Sequence, residues 1–572
     1  MGQRLHDARQ ALARGDREAA LRALVPALEE APEPQTLGLL AQVALGLGQA
    51  QLARSALNRA LGANPANPHL HAFAAAAAQM LGESGAAETH ARRALSMDAS
   101  HPIAAALLIE LLGDRLQIGA ALSLAERVLA RHPGAWQVRA AQAAPLLFCG
   151  EAAAAGEQSL AALKAAPHAL SARQNACLAA LYDDSLPPQG VAARHRQLGA
   201  GFPKLPEAVL ASRPPRAGRP LRLGLLSADL RNHPMGWFTA PLLRELPRAR
   251  VQPFVYHDGE PDALTAQLAA RVPDWRATRG RSDAEVFDAM QADGIDVLLD
   301  LGGYTHGARP RLLASRAAPA QLAWLGYPFS TGLAAMDGLV GDDATLPSTA
   351  ASMCHEHLYR LRGGLFCFEP IAGTPKVGAR SDGPVRFGSF NHLAKLSPAT
   401  VSLWVQVLQA VPDSTLRLCA MGLADGGVRE RIAGRFAAAG LDPARLELRP
   451  PVPSPPELLA RYAEIDIALD PLPFNGGTTT CQALWQGVPV VTLPGALMPA
   501  RLSLSILDAV GLPECVAADR AGYVAIAARL AADAGHRRAL REQLRERMRA
   551  SPLMDPVRFA EAFAAVVEQA AG

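Results

Sequence analysis

The sequence predicts an all-α helical-repeat array followed by two α/β lobes, each built on a doubly wound parallel sheet. Three observations carry this. The first third of the chain is self-similar at about 34 residues, a proline- and arginine-rich break follows, and beyond it short apolar runs alternate with helical stretches. The implied organisation is repeats over residues 1–200, a linker over 201–220, a first lobe over 221–380 and a second over 381–572.

The repeat is read from segments that each end in a short turn. They begin at Ala27, Ala60, Ala94, Val128 and Ala162, with starts 33, 34, 34 and 34 residues apart. A second marker keeps step: Gly15, Gly48, Gly82 and Gly150 each lie 12 residues before the matching start, and Leu116 takes that place in the fourth copy. Glycine ends one helix through a left-handed turn, and proline blocks continuation of the next. Alanine-rich segments between these markers favour helix. Two helices per unit at this length is the tetratricopeptide period, and such pairs stack into a superhelix whose concave face holds an extended partner or simply braces the rest of the chain.

Prolines and arginines between Phe202 and Pro220 mark the connection. Leu221–Ser227 then reads as a buried strand, followed by a helix over Met235–Leu246, a strand over Val251–Tyr256 and another over Asp296–Leu301. A second series starts at Arg386–Phe390 and continues with a helix over Pro398–Val411, a strand over Thr415–Cys419 and a helix over Val428–Ala439. Strands at Leu446–Leu448, Ile465–Leu469 and Val488–Leu493 complete it. Short apolar strands alternating with helices indicate parallel sheets covered on both faces. Two Rossmann-like lobes in tandem enclose a ligand cleft at the carboxyl ends of their strands, the layout of the GT-B class.

Composition narrows the function. Half the residues are hydrophobic, 19% are charged and the formal net charge is +3, which suits a folded soluble chain and gives no electrostatic footprint for nucleic acid or an anionic membrane. No apolar run is long enough to span a bilayer, and the first residues do not form a secretory h-region. The seven cysteines show no C-x-x-C spacing, so neither a zinc site nor a disulfide framework is expected, and a cytoplasmic location fits. There is no Asp-x-Asp pair and no His/Asp/Glu clustering at metal-ligand spacing, so no metal is expected.

The segment from Asp466 to Val490 is the most informative chemically. A strand runs into Asn475-Gly476-Gly477-Thr478-Thr479-Thr480, and the helix this opens, containing Gln482, ends at Gly487. Free amides and hydroxyls at a helix start make a diphosphate site; the same string also reads as a threonine N-cap after a glycine turn. Lys395 follows Asn391 and His392 just past the first strand of the second lobe, where it is either a solvated surface group or the cation that meets a departing diphosphate. His233 follows the first strand of the first lobe, where an imidazole can bond a sugar or acceptor hydroxyl, act as a base, or merely cap the next helix. Tyr304 and Thr305, with Tyr327 and Pro328, leave later strand ends and read either as cleft walls or as buried aromatics beside glycine-rich turns.

Taken in order, these strings resemble the O-GlcNAc transferase family and its bacterial relatives. They are Ser-Ala-Asp-Leu-Arg-Asn-His-Pro at 227–234, Gly-Tyr-Thr-His-Gly-Ala-Arg at 303–309, Trp-Leu-Gly-Tyr-Pro at 324–328, Phe-Asn-His-Leu-Ala-Lys at 390–395 and Asn-Gly-Gly-Thr-Thr at 475–479. The resemblance implies a GT-B fold, UDP-N-acetylglucosamine as donor, and inverting, metal-free transfer to Ser or Thr hydroxyls of proteins, with the acceptor in the repeat groove. It implies that Lys395 stabilises the diphosphate, that Thr478 and Thr479 bind it, and that His233 lies beside sugar and acceptor. The chain departs from the animal enzymes at Gly477, which stands in place of a histidine, and at Gln482, in place of the aspartate that holds the ribose. Pro455 and Leu458 stand where those enzymes have a lysine and a histidine near the uracil. These departures also fit a transferase for another donor sugar, or a repeat-based adaptor whose second half binds nucleotide without turnover.

Overall fold

The computed structural model describes residues 2–14, 16–28, 33–206, 208–210, 218–378 and 383–572. Gly15, the turn at 29–32, residues 211–217 of the expected linker and the boundary expected at 380 lie outside the described residues. Packing divides the chain into two compact units, one of residues 1–146, 157–172 and 280–282, the other of residues 147–156, 173–279 and 283–572.

The first unit is made of antiparallel helix pairs. Pro34–Gly46 pairs with Ala50–Ala63, Pro68–Met80 with Ser84–Met97, and Pro102–Asp114 with Ile118–Arg131. Each pair opens with a proline at the first helical position, where its missing N–H costs nothing. The turn within each pair takes the left-handed conformation, at Gly48 (φ 79°) and Gly82 (φ 77°). Leu116, which breaks the glycine marker, adopts the same conformation (φ 58°), so the turn geometry survives the loss of the residue best suited to it. Alanines at the contacts between helices, such as Ala53, Ala56, Ala60, Ala91 and Ala94, have no exposed surface, and they let the helices pack closely.

The second unit holds both lobes. Its first sheet comprises β1 (Leu221–Ser227), β2 (Val251–His257), β3 (Asp274–Ala277), β4 (Val297–Asp300), β5 (Ala320–Trp324), β6 (Gly338–Gly341) and β7 (His357–Arg360). They pair in the order β3-β2-β1-β4-β5-β6-β7, every neighbour parallel. Its second sheet comprises β8 (Arg386–Ser389), β9 (Thr415–Cys419), β10 (Leu446–Arg449), β11 (Ile467–Leu469) and β12 (Val490–Val491), in the order β10-β9-β8-β11-β12, again parallel throughout. Strand order reverses between β1 and β4 in the first sheet and between β8 and β11 in the second. The loops leaving those four strands therefore border the crevice where such sheets bind ligands.

Two expected boundaries move. Residues 173–200, read as repeat, belong with the α/β unit. The reason is packing: His195 of the Pro188–Ala200 helix is fully buried and bonds the Tyr327 hydroxyl at 2.5 Å, while Gly199 lies so close to the Gly332 backbone that no side chain would fit. The last helix, Pro556–Ala571, leaves the second lobe and packs on β1 and β4 of the first. Phe559 and Phe563 lie 6.0 and 5.0 Å from the Trp324 ring, and Arg250 bonds Glu561 and Glu568 along the helix. Strands β3, β6 and β7 were not read from the sequence, and β5 was read only by its end ahead of Tyr327; β3 and β7 are half-exposed and lack the continuous apolar run of a central strand. No helix among the described residues is long and apolar enough to cross a membrane.

Truncating Phe563, which has no exposed surface, empties the contact between the last helix and the first sheet. Phe563→Ala is expected to destabilise the α/β unit by about 3–5 kcal/mol, read as a lowered urea midpoint.

Candidate active site

In the second lobe the chain leaves β11 at Asp470, whose carboxylate is buried and accepts the Gly476 N–H at 2.6 Å and the Thr492 hydroxyl at 2.6 Å. Burial raises its pKa to about 6 against the pull of those bonds. The loop is held from the other side by Ser503, which donates to the Gly476 carbonyl at 2.9 Å and shares a 2.7 Å bond with the Thr480 hydroxyl. Gly476 has no room for a side chain: a Cβ there would lie 2.5 and 2.6 Å from the Thr480 and Thr479 hydroxyls and 3.1 Å from Asp470.

The helix Thr478–Trp485 starts directly from this loop. Its N-cap is Gly477, with no side-chain cap, so the threonines form the first turn and do not cap it as the sequence suggested. Among the described residues, the backbone N–H groups of Thr478, Thr479 and Thr480 meet no acceptor, as expected of a first turn. Gly477, Thr478 and Thr479 remain half-exposed, whereas Thr480 is buried against Ser503. The result is an accessible helix start with free donors and the positive end of the helix dipole.

Lys395 reaches the same point from β8. After Asn391, the His392 Nδ1 accepts the Ala394 N–H at 3.0 Å and so starts a short 3-10 turn, Leu393–Lys395. Ser397 caps the Pro398–Ala410 helix that follows and also donates to the Leu472 carbonyl at 2.7 Å. The Lys395 ammonium donates to the Asn475 carbonyl at 2.7 Å and, weakly, to Asn391 Oδ1 at 3.4 Å, and it lies 4.5 Å from the centre of the Phe474 ring. Asn391 Oδ1 also accepts from the Thr479 hydroxyl at 2.9 Å, so Asn391 ties the lysine to the helix start. Desolvation lowers the Lys395 pKa to about 8, opposed by the Asp470 charge.

The structure thus links Thr479, Asn391, Lys395 and Asn475 through successive hydrogen bonds, with Gly476 next in the same loop. Asn475 is fully buried and holds the loop through Pro471 and Pro499, which leaves its Oδ1 without a partner. His392 keeps an exposed face, with its ring 4.8 Å from Phe148, and its pKa is held low by desolvation and by Lys395. Gln482 is buried in the second turn of the helix, and Gly477 faces the Phe366 ring.

In the first lobe His233 is the N-cap of the Pro234–Glu245 helix, its Nδ1 accepting the Met235 N–H at 3.3 Å. The neutral ring therefore carries its proton on Nε2 and presents a donor there, not a base. Desolvation lowers its pKa, with Asp229, 4.0 Å away, opposing. Tyr304 and Tyr327 turn inward. The Tyr304 hydroxyl donates to the Thr331 carbonyl and its ring stacks on Phe202 at 5.3 Å, while Tyr327 packs edge-on to Tyr304 at 5.2 Å. Pro328 is buried beside them, and the Thr305 hydroxyl closes its own turn on the Gly302 carbonyl at 2.8 Å. These residues support the loop from within, as the buried-aromatic reading has it.

Sequence reasoning missed the carboxylates that shape both loops. Asp300 ends β4, is buried, and accepts the N–H groups of Gly302 and Gly303 at 3.0 and 2.8 Å, as Asp470 does for Gly476. Burial raises its pKa to about 6 as well. An aspartate at a strand end, followed within seven residues by a pair of glycines, was the available signal.

Fold and site together define a two-lobed GT-B protein carrying tetratricopeptide-type helical repeats ahead of its lobes. The chain matches the model of glycosyl transferase family 41 over residues 190–369 and 371–563, and it belongs to that family. It is 33% identical over 409 residues to the probable UDP-N-acetylglucosamine–peptide N-acetylglucosaminyltransferase SPINDLY of Solanum lycopersicum, covering 69% of this chain and 44% of the relative. It is 25% identical over 470 residues to the UDP-N-acetylglucosamine–peptide N-acetylglucosaminyltransferase of Caenorhabditis elegans, covering 59% and 39%. Among solved structures it is similar to a mutant of the O-GlcNAc transferase of Thermobaculum terrenum, with a TM-score of 0.82 and 32% identity over 89% of this chain and 98% of that one. The chain spans less than half the length of the curated relatives it matches.

Gly476→Ala is expected to cost about 1–3 kcal/mol, because the β-branched hydroxyls around it cannot withdraw. Denaturant unfolding of the variant checks this, with Gly477→Ala, whose Cβ would meet only ordinary contacts at 3.5 Å, as the tolerated neighbour.

Proposed function

We propose that the chain is an inverting glycosyltransferase that moves N-acetylglucosamine from UDP-N-acetylglucosamine to Ser or Thr hydroxyls of proteins, without a metal ion. The observation that carries this is the Lys395 ammonium, set at the accessible start of the Thr478–Trp485 helix with no carboxylate bonded to it among the described residues. The Asp470 charge acts on this cation only from a distance, and a diphosphate at the helix start supplies a counter-charge in contact. The family relatives, whose names state this donor and peptide acceptors, support the donor and acceptor classes.

In the reaction the acceptor oxygen forms a bond to the anomeric carbon as the bond from that carbon to the β-phosphate oxygen breaks, and the proton of the acceptor hydroxyl is released to solvent. The bonding electrons leave with the diphosphate, where Lys395 and the free amides of Thr478 and Thr479 meet the charge. His233, with Nε2–H as donor, bonds a hydroxyl of sugar or acceptor and holds it in line. The acceptor polypeptide lies in the groove of the repeats, whose first helices form a concavity lined by Arg9, Gln35, Gln42, Asn64 and Asn67. Gln482, where the animal enzymes hold the ribose with an aspartate, favours one variation, a related transferase with another nucleotide sugar.

Calorimetric titration with UDP, UDP-N-acetylglucosamine and other nucleotide sugars, without added metal, tests the reading. Selective uptake of UDP and its N-acetylglucosamine derivative is expected, with Lys395→Ala weakening it at least tenfold and abolishing transfer while the protein stays folded. Preference for another nucleotide reassigns the donor, and binding without turnover favours the adaptor. A second expectation concerns pH. The Lys395 pKa is depressed, so the free protein loses this cation as pH rises through about 8. UDP affinity is expected to be flat below that and to fall by up to roughly tenfold per pH unit above it, with proton uptake on binding.

A further inference from the structure

The helical segments that precede the first sheet within the α/β unit reach the turn carrying Lys395. Phe148 lies against His392. Asp184 Oδ2 accepts the Ala399 N–H, in the first turn of the Pro398–Ala410 helix, at 2.6 Å. Arg435 donates to the carbonyls of Cys149 and Gly150 and, through its other nitrogen, to the carbonyl of Leu396, the residue after the lysine. Tyr182, two residues beyond the Leu170–Ala180 helix, stacks on Phe474 with ring centres 4.9 Å apart and planes inclined by 18°. Phe474 is the ring that carries the Lys395 ammonium.

We propose that Tyr182 is a positioning residue for Lys395, acting through Phe474, so that the end of the helical region sets the geometry of the diphosphate site. This deepens the transferase reading and rests on it for the ligand. The physical argument has two parts. A phenyl ring attracts a cation only over its face, so the plane of Phe474 determines where the ammonium is held. That plane is set by near-parallel stacking on Tyr182, a contact worth about 0.5–1.5 kcal/mol beyond the area it buries. Tyr182 is half-buried, its phenol is pushed up to about 12 by burial, and its ring covers the Phe474 ring on which the ammonium rests. The charged and titratable groups around the ammonium are His392 on its own turn and Asp470 at the end of β11, with Arg435 and Asp184 one layer out. All four are retained when only Tyr182 is changed.

The test uses the full chain and two readouts, one of which needs no ligand. The pH dependence of Lys395 acetylation, followed by mass spectrometry, gives the titration midpoint of the free protein, and calorimetry gives the UDP affinity. Tyr182→Ala is expected to move the midpoint upward by roughly one pH unit, toward the ordinary lysine value, because water reaches the ammonium. It is also expected to weaken UDP binding about fivefold. Tyr182→Phe, which keeps the ring, matches the parent in both. Tyr182→Leu serves as a second ring-free variant should the alanine fail to fold. An unchanged midpoint in a folded ring-free variant overturns the proposal whatever UDP does. A midpoint that moves with Tyr182 in a protein that binds no UDP upholds the coupling and sinks the transferase reading instead.

Discussion

The Lys395 ammonium sits against a phenyl ring and a backbone carbonyl, with no carboxylate bonded to it among the described residues, and much of the second lobe follows from that constraint. A cation removed from water needs compensation, and here the groups in contact are dipoles and a ring face, while the Asp470 charge acts without bonding to it. That leaves the ammonium with a depressed pKa and unspent attraction for an anion. The loop from Asp470 to Gly477 has to present its Asn475 carbonyl to the lysine and its helix start to the cleft at once. Gly476 makes this possible by lying too close to two hydroxyls for any other residue.

Both lobes solve the problem of a tight glycine loop after a central strand in the same way. An aspartate at the strand's carboxyl end turns its oxygens back onto the loop amides, Asp300 onto Gly302 and Gly303, Asp470 onto Gly476. Each carboxylate is buried, so it is effective only because those amides and hydroxyls replace its water. The loops differ in what they then offer. In the first lobe the aromatic residues of the loop face the interior, and His233 caps the helix that follows β1. In the second lobe the loop opens a helix and exposes its amides.

The helix pairs, the left-handed turns and the two strand series were legible in the sequence because each depends on contacts between residues close in the chain. Gly48 and Gly82 announce their turns by type. Leu116 does not, and its turn was inferred from the period alone. Lys395, Thr478 and Thr479 were legible as candidates from their places after strands. Tyr304 and Tyr327 were not separable into wall or core, since a tyrosine beside a glycine turn has the same local sequence in either role.

What the sequence by itself determined was the repeat, the two parallel-sheet lobes and the short list of loops that could hold a ligand, all set by periodicity, helix punctuation and strand ends. Only the tertiary structure decided that residues 173–200 join the α/β unit, that the final helix packs on the first lobe, and that Asn391 links Lys395 to Thr479 across 88 positions of chain. It also decided that Tyr182 stands behind Phe474. These are pairings between distant segments, chosen by which buried surfaces and polar groups fit once the sheets have formed, and no local pattern encodes that fit.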